Sequence, residues 1–109
     1  MKIKDAKVYL VSDLAQLAQA RIQHENSDID PIIAINHGLR QQGFAADALT
    51  IVNEKTNKRI LMIFHDNKPD TVDYEFGLAS EDPRFEFKQT ALANLTEEVL
   101  YQWMSEHLT

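Results

Sequence analysis

Cysteine is absent from this 109-residue chain. That excludes a disulfide framework, a thiol nucleophile and a zinc knuckle, and it fits a reducing compartment. Glycine and proline are scarce, at three each. Gly38, Gly43 and Gly77 stand too far apart to form a glycine-rich phosphate loop. No apolar run approaches the ~20 residues that a transmembrane helix needs. Met1-Lys2-Ile3-Lys4-Asp5 does not open the apolar core of a signal peptide. The expectation is a single soluble, cytoplasmic domain that does not engage a membrane. Basic residues are also in short supply: 11 Lys and Arg against 17 Asp and Glu give a net charge of -6. That balance argues against binding nucleic acid through its phosphates.

The charge is unevenly placed. Residues 1 to 47 hold five Lys/Arg and six Asp/Glu, whereas residues 48 to 109 hold six and eleven. The acids crowd between Asp66 and Glu86, with Asp70, Asp73, Glu75, Glu81 and Asp82 between them. Charged edges block unwanted strand pairing, which gives such acids a structural use. They also make a surface that attracts a basic partner.

What the chain does have is a strand-rich centre from residue 48 to 89. Ala48 to Asn53 and Arg59 to His65 are β-prone runs joined by the polar Glu54-Lys55-Thr56-Asn57-Lys58, which reads as a hairpin. Asp66 to Asp70 contains the turn formers Asp, Asn and Pro. Val72, Tyr74, Phe76 and Leu78 then alternate with Asp73, Glu75, Gly77 and Ala79, the pattern of a strand with one wet face. After a turn at Ser80 to Pro83, Phe85 and Phe87 alternate with Arg84, Glu86 and Lys88, predicting a fourth strand. The run from Ile60 to Phe64 is apolar on both faces, so it belongs in the middle of a sheet covered on both sides. The cover comes from the chain's own helices or from a second copy.

Before this centre, Lys7 to Val11 reads as a short strand, followed by a helix from Leu14 to about Glu25. The alternative is a helix throughout, because Val8, Val11, Ala15, Ala18 and Ile22 fall near helical spacing. Asp30 as N-cap, Pro31 in the first turn and Gly43 at the C-terminal cap predict a second helix over 31–42, with Phe44 able to touch Leu39. The two helices would form a hairpin over one sheet face. At the end of the chain, Thr96 is a good N-cap and Leu95 and Leu100 are spaced as a hydrophobic staple. Val99, Leu100, Trp103, Met104, His107 and Leu108 make one apolar stripe. The expected fold is α+β: an antiparallel meander of four to five strands, an N-terminal helical hairpin and a C-terminal amphipathic helix.

Chemistry is less legible. His65 beside Asp66 at a strand end has the residue types of a general base, but no nucleophile motif accompanies it. His65, Asp66, Asp70 and Asp73 gather around one turn, yet neither calcium-loop nor His-pair spacing is present, so no metal and no cofactor are expected. The leading reading is a non-catalytic protein-binding module that uses Asp73, Glu75 and Glu86 for charge, with Trp103 as core anchor or interface anchor. Its partner would be a protein, basic in character, and homodimerisation is compatible with it. The alternative is a small-molecule binder or enzyme with a pocket near His37, His65 and Asp66. A third idea, weaker still, is a nucleic-acid mimic built on the acidic row. In size, charge and element order the chain is similar to secretion chaperones, immunity proteins and orphan proteins from mobile genes, an analogy that assigns no residue and suggests a chaperone-, immunity- or adaptor-like module.

Overall fold

A computed structural model describes residues 6–26, 29–84 and 86–109. The elements are α1 (Ala6–Glu25), β1 (Ile32–Asn36), α2 (Gly38–Gln41), β2 (Ala46–Asn53), β3 (Lys58–His65), β4 (Thr71–Leu78), β5 (Lys88–Ala91) and α3 (Glu97–His107), with a 3-10 turn at Leu92–Asn94 before α3. All five strands join one antiparallel sheet in the order β1-β2-β3-β4-β5. The fold is therefore α+β with a five-stranded meander. No helix among the described residues is long and apolar enough to cross a membrane.

The helical hairpin is not there. Lys7 to Val11 is the opening of α1 and not a strand. The helical spacing of Val8, Val11, Ala15, Ala18 and Ile22 decides it, since these five side chains are 0–3% exposed and form the stripe that α1 lays on the sheet. Helical periodicity sustained over fifteen residues outweighs the β propensity of two valines. Residues 31–42 divide in two. Ile32 to Asn36 form β1, because β-branched Ile32, Ile33 and Ile35 fit a pleated surface and pair with Val52, Ile51 and Leu49 of β2. Pro31 sits just ahead of that strand, where its missing N–H removes no ladder bond. Asp30 accepts a hydrogen bond from Gln23 of α1 and caps no helix. Only the C-terminal half of the expected helix survives, as the single turn α2. Its ending follows the sequence closely: Gly43 has φ 97, Phe44 N–H donates to Leu39 C=O and Gly43 N–H donates to Arg40 C=O. These are the two bonds of a Schellman cap.

The last strand is displaced. β5 starts at Lys88 and runs to Ala91, while the backbone N–H groups of Arg84 and Glu86, ahead of it, donate to Glu75. Phe85, half of the expected alternation, lies outside the described residues.

Two packed layers result. On one face Leu49, Ile51, Ile60, Met62, Phe64 and Val72 meet α1 and α3. On the other, among the described residues, Ala46, Ala48, Leu61 and Ile63 meet Leu39 of α2 and Phe87. The apolar run of β3 is thus buried on both sides, as its sequence requires. α3 is capped by Thr96, whose hydroxyl accepts from Val99 N–H, and both staple residues, Leu95 and Leu100, are buried. Buried Asn53 ties the C-terminus to β2 by donating to the Leu108 carbonyl at 2.7 Å.

Candidate functional site

Two places on the sheet concentrate polar side chains. The first is the end where α1, α2 and the β3–β4 turn converge. Asp47 of β2 projects to the helix-covered face there and is 1% exposed. It accepts from Arg40 Nη2 at 2.7 Å, from Arg40 Nε at 3.1 Å and from His37 Nδ1 at 2.6 Å. Arg40 also holds Asp66 through two bonds of 2.9 Å. A carboxylate only accepts, so His37 carries its proton on Nδ1. In the neutral ring Nε2 is then the acceptor for the Tyr9 hydroxyl, 3.2 Å away. Lys7 completes the cluster by donating to the His65 carbonyl at 2.6 Å.

The electrostatics of this cluster are those of a structural clamp. Burial pushes the Asp47 carboxyl up, but hydrogen bonds from Arg40 and His37 overcome it and hold the group at about 2. Bonds to Asp66 and Asp47 raise Arg40 further above its ordinary value. Burial lowers Lys7, against the pull of Asp66, Asp47 and Asp70. Arg40 is the right residue for this position, because its fork satisfies two carboxylates at once. It fastens α2 to β2 and to the start of the β3–β4 turn.

The second place is the outer edge of β4. β5 pairs with Thr71 to Tyr74 only. From Glu75 to Leu78 the outer side of β4 carries no strand among the described residues. A cavity of about 320 Å³ lies along this half-edge, walled by Arg59, Glu75, Phe76, Gly77, Arg84 and Lys88, among others. Glu75 shapes it by accepting from the backbone N–H groups of Arg84 (2.8 Å) and Glu86 (3.2 Å), which curls the loop beside the strand. Glu81, Asp82 and Glu86 stand exposed on its rim. The Nε of Arg59, a residue of the wall, is buried and has no hydrogen-bond partner among the described residues.

The residues singled out from the sequence fall in different places. Glu75 and Glu86 belong to the groove. Asp73 is 9% exposed and turned inward, within 3.1 Å of His65 Nε2 and 3.4 Å of Lys68 Nζ. Trp103 is half-buried and outside the groove wall, its ring 4.6 Å from that of Tyr74 and 5.2 Å from that of Phe76, two residues that line it. His107 stacks on Phe76 at 3.7 Å. His37 and His65 are separated by their partners, the first tied to Asp47 and the second to Asp73. His65 and Asp66 line a further cavity of about 450 Å³ with Leu39, Phe44 and Ala46, and His37 is not among its walls. No group of three or more His, Asp or Glu among the described residues is placed to hold a metal ion.

Sequence reasoning passed over Asp47, Lys7 and Arg59, and named Arg40 only as a neighbour of His37 without giving it a role. Asp47 had a signal: it is a lone acid inside Ala45-Ala46-Asp47-Ala48-Leu49, and a charge within an apolar strand needs a buried partner. Arg59 had none, because its place in the groove wall follows from β5 starting only opposite Tyr74. No family model, no curated protein and no solved structure matches this chain.

Proposed function

We propose that this protein is a non-catalytic protein-binding module that takes up an extended segment of its partner along the outer edge of β4. The observation that carries this reading is the half-length pairing of β4, which leaves strand-edge backbone beside a groove. Strand addition supplies main-chain hydrogen bonds for affinity, and side-chain pockets beside the edge supply selectivity. The rim acids Glu81, Asp82 and Glu86, together with the net charge of -6, favour a partner segment of basic character.

The test is capture of partners by the tagged protein and by a Glu81→Lys, Asp82→Lys, Glu86→Lys variant. All three positions are exposed, so the fold tolerates the changes. The proposal expects a partner that the parent holds, that high salt weakens and that the variant loses. Equal capture by parent and variant contradicts it.

One observation favours a second reading, small-molecule binding. The cavity beside His65 and Asp66 is mostly apolar, with a few polar groups at one side, which is the usual make-up of a ligand pocket. A thermal-shift screen that finds a ligand whose stabilisation disappears in His65→Ala would support this reading over the first.

A further inference from the structure

The two edges of the sheet are defended very differently. β5 is four residues long and opens with an exposed lysine, Lys88. β1 is Ile32-Ile33-Ala34-Ile35-Asn36, with no charge, no proline inside it and no lysine. Short, charged edges resist strand addition, and a flat apolar edge invites it. Among the described residues, the row of α1 nearest β1 is also uncharged, with Asp13 one turn from Tyr9 on the outward side. Tyr9, Gln19 and Gln23 reach down from it to His37, Pro31 and Asp30, and Ser12 and Gln16 share that row. In a chain of net charge -6, this is a border along which two copies would meet without repulsion.

We infer that β1 is covered by β1 of a second copy, antiparallel about a two-fold axis at Ala34, so that the dimer has one continuous ten-stranded sheet. The register follows from the strand. In an antiparallel ladder, backbone groups point outward at alternate residues, so opposing residues share that alternation and their numbers add to an even sum. Centring on Ala34 pairs Ile32 with Asn36, Ile33 with Ile35, and Ala34 with itself. All five residues of β1 are then used. Ile33 and Ile35, which lie on the helix-covered side opposite Ile51 and Leu49, stay on that side in both copies. Ile32, 43% exposed, meets Asn36 on the other side. Asp30 falls opposite Gly38, beside His37 of the second copy, and not opposite an acid. This surface is separate from the β4 groove, and its test does not depend on any partner being found.

The absence of cysteine makes the register measurable. Across a two-fold antiparallel pair the Ala34 Cα atoms are about 4.5 to 5.5 Å apart, inside the disulfide range of about 4.4 to 6.8 Å. The purified chain is expected to sediment at twice its 12.5 kDa mass. Under mild oxidation Ala34→Cys should cross-link at least about tenfold faster than a control cysteine at exposed Gln102, because paired thiols sit at millimolar effective concentration. Ala34→Lys places two ammonium groups face to face and should give a folded monomer by circular dichroism and sedimentation, since Ala34 is exposed in the single chain. A mass of 12.5 kDa at every concentration overturns the inference. So does a dimer in which Ala34→Cys links no faster than the control, which means that copies meet elsewhere. Masses that grow past the dimer overturn it too, because they show open-ended strand addition.

Discussion

Replacing Asp47 by Asn removes one charge from a side chain that is only 2% exposed. The shape is kept, but the carboxylate's bonds from Arg40 and His37 are lost or reversed. The group's descent from 3.8 to about 2 measures part of this loss. At about 1.36 kcal/mol per unit, it corresponds to roughly 2 kcal/mol of native-state stabilisation. Breaking a fully buried ion pair costs about 3–5 kcal/mol. Here Arg40 keeps Asp66 and remains 23% exposed, which places the expected loss for Asp47→Asn at about 2–3 kcal/mol. With unfolding entropy of about 2.1 cal/mol/K per residue, the melting point should fall by roughly 10 °C. The pH dependence has a definite sign. The folded-state value is depressed, so the contribution is complete above the ordinary carboxylate value and is lost as pH falls towards 2. Urea unfolding of both proteins should show the full gap at pH 6 to 7 and a narrowing gap below about pH 4. A gap under about 0.5 kcal/mol at pH 7, within the range of ordinary surface changes, would refute the clamp reasoning. A gap of unchanged size at pH 3 would refute its electrostatic part.

Other perturbations probe the frame around the site. Thr96→Ala removes the hydroxyl that caps α3 and should cost about 1 kcal/mol in urea unfolding. Asn53→Ala takes away one of the two donors to the Leu108 carbonyl, leaving the Thr56 hydroxyl at 2.8 Å, and should cost about 1 kcal/mol, with increased amide exchange at the end of α3. Gly43→Ala forces a side chain into the left-handed region and should cost about 1–2 kcal/mol by the same unfolding assay. Phe64→Ala opens the centre of the helix-covered core and should cost about 3–5 kcal/mol.

The sheet was legible because its signals are local and redundant. Alternation from Val72 to Leu78, turn formers at Asp66 to Asp70 and the two-sided apolar run of β3 all specify one meander. α3 was legible for the same reason, with Thr96, Leu95 and Leu100 agreeing on its start. The N-terminal third misled where local rules conflict. Val8 and Val11 satisfy a strand by propensity and a helix by spacing, and only the longer stripe through Ile22 decides between them. Pro31 and Asp30 suit a helix start, yet three β-branched residues in the next four positions outweigh them, because β2 offers an apolar strand to pair with. Along the candidate site, the acids at Glu75 and Glu86 could be read from sequence but their use could not. Glu75 spends its carboxylate on two backbone N–H groups, a long-range closure that no pattern of neighbours encodes. The groove itself exists because β5 begins only at Lys88, opposite Tyr74, a long-range pairing that no pattern of neighbours encodes.

The most direct test of the partner-binding claim is amide hydrogen exchange on the protein with and without its captured partner. Strand addition predicts slowed exchange at outward-pointing amides between Glu75 and Leu78, with β1 and the rest of β4 unchanged. A partner that leaves residues 75–78 as fast as in the free protein, and protects amides elsewhere, contradicts the account.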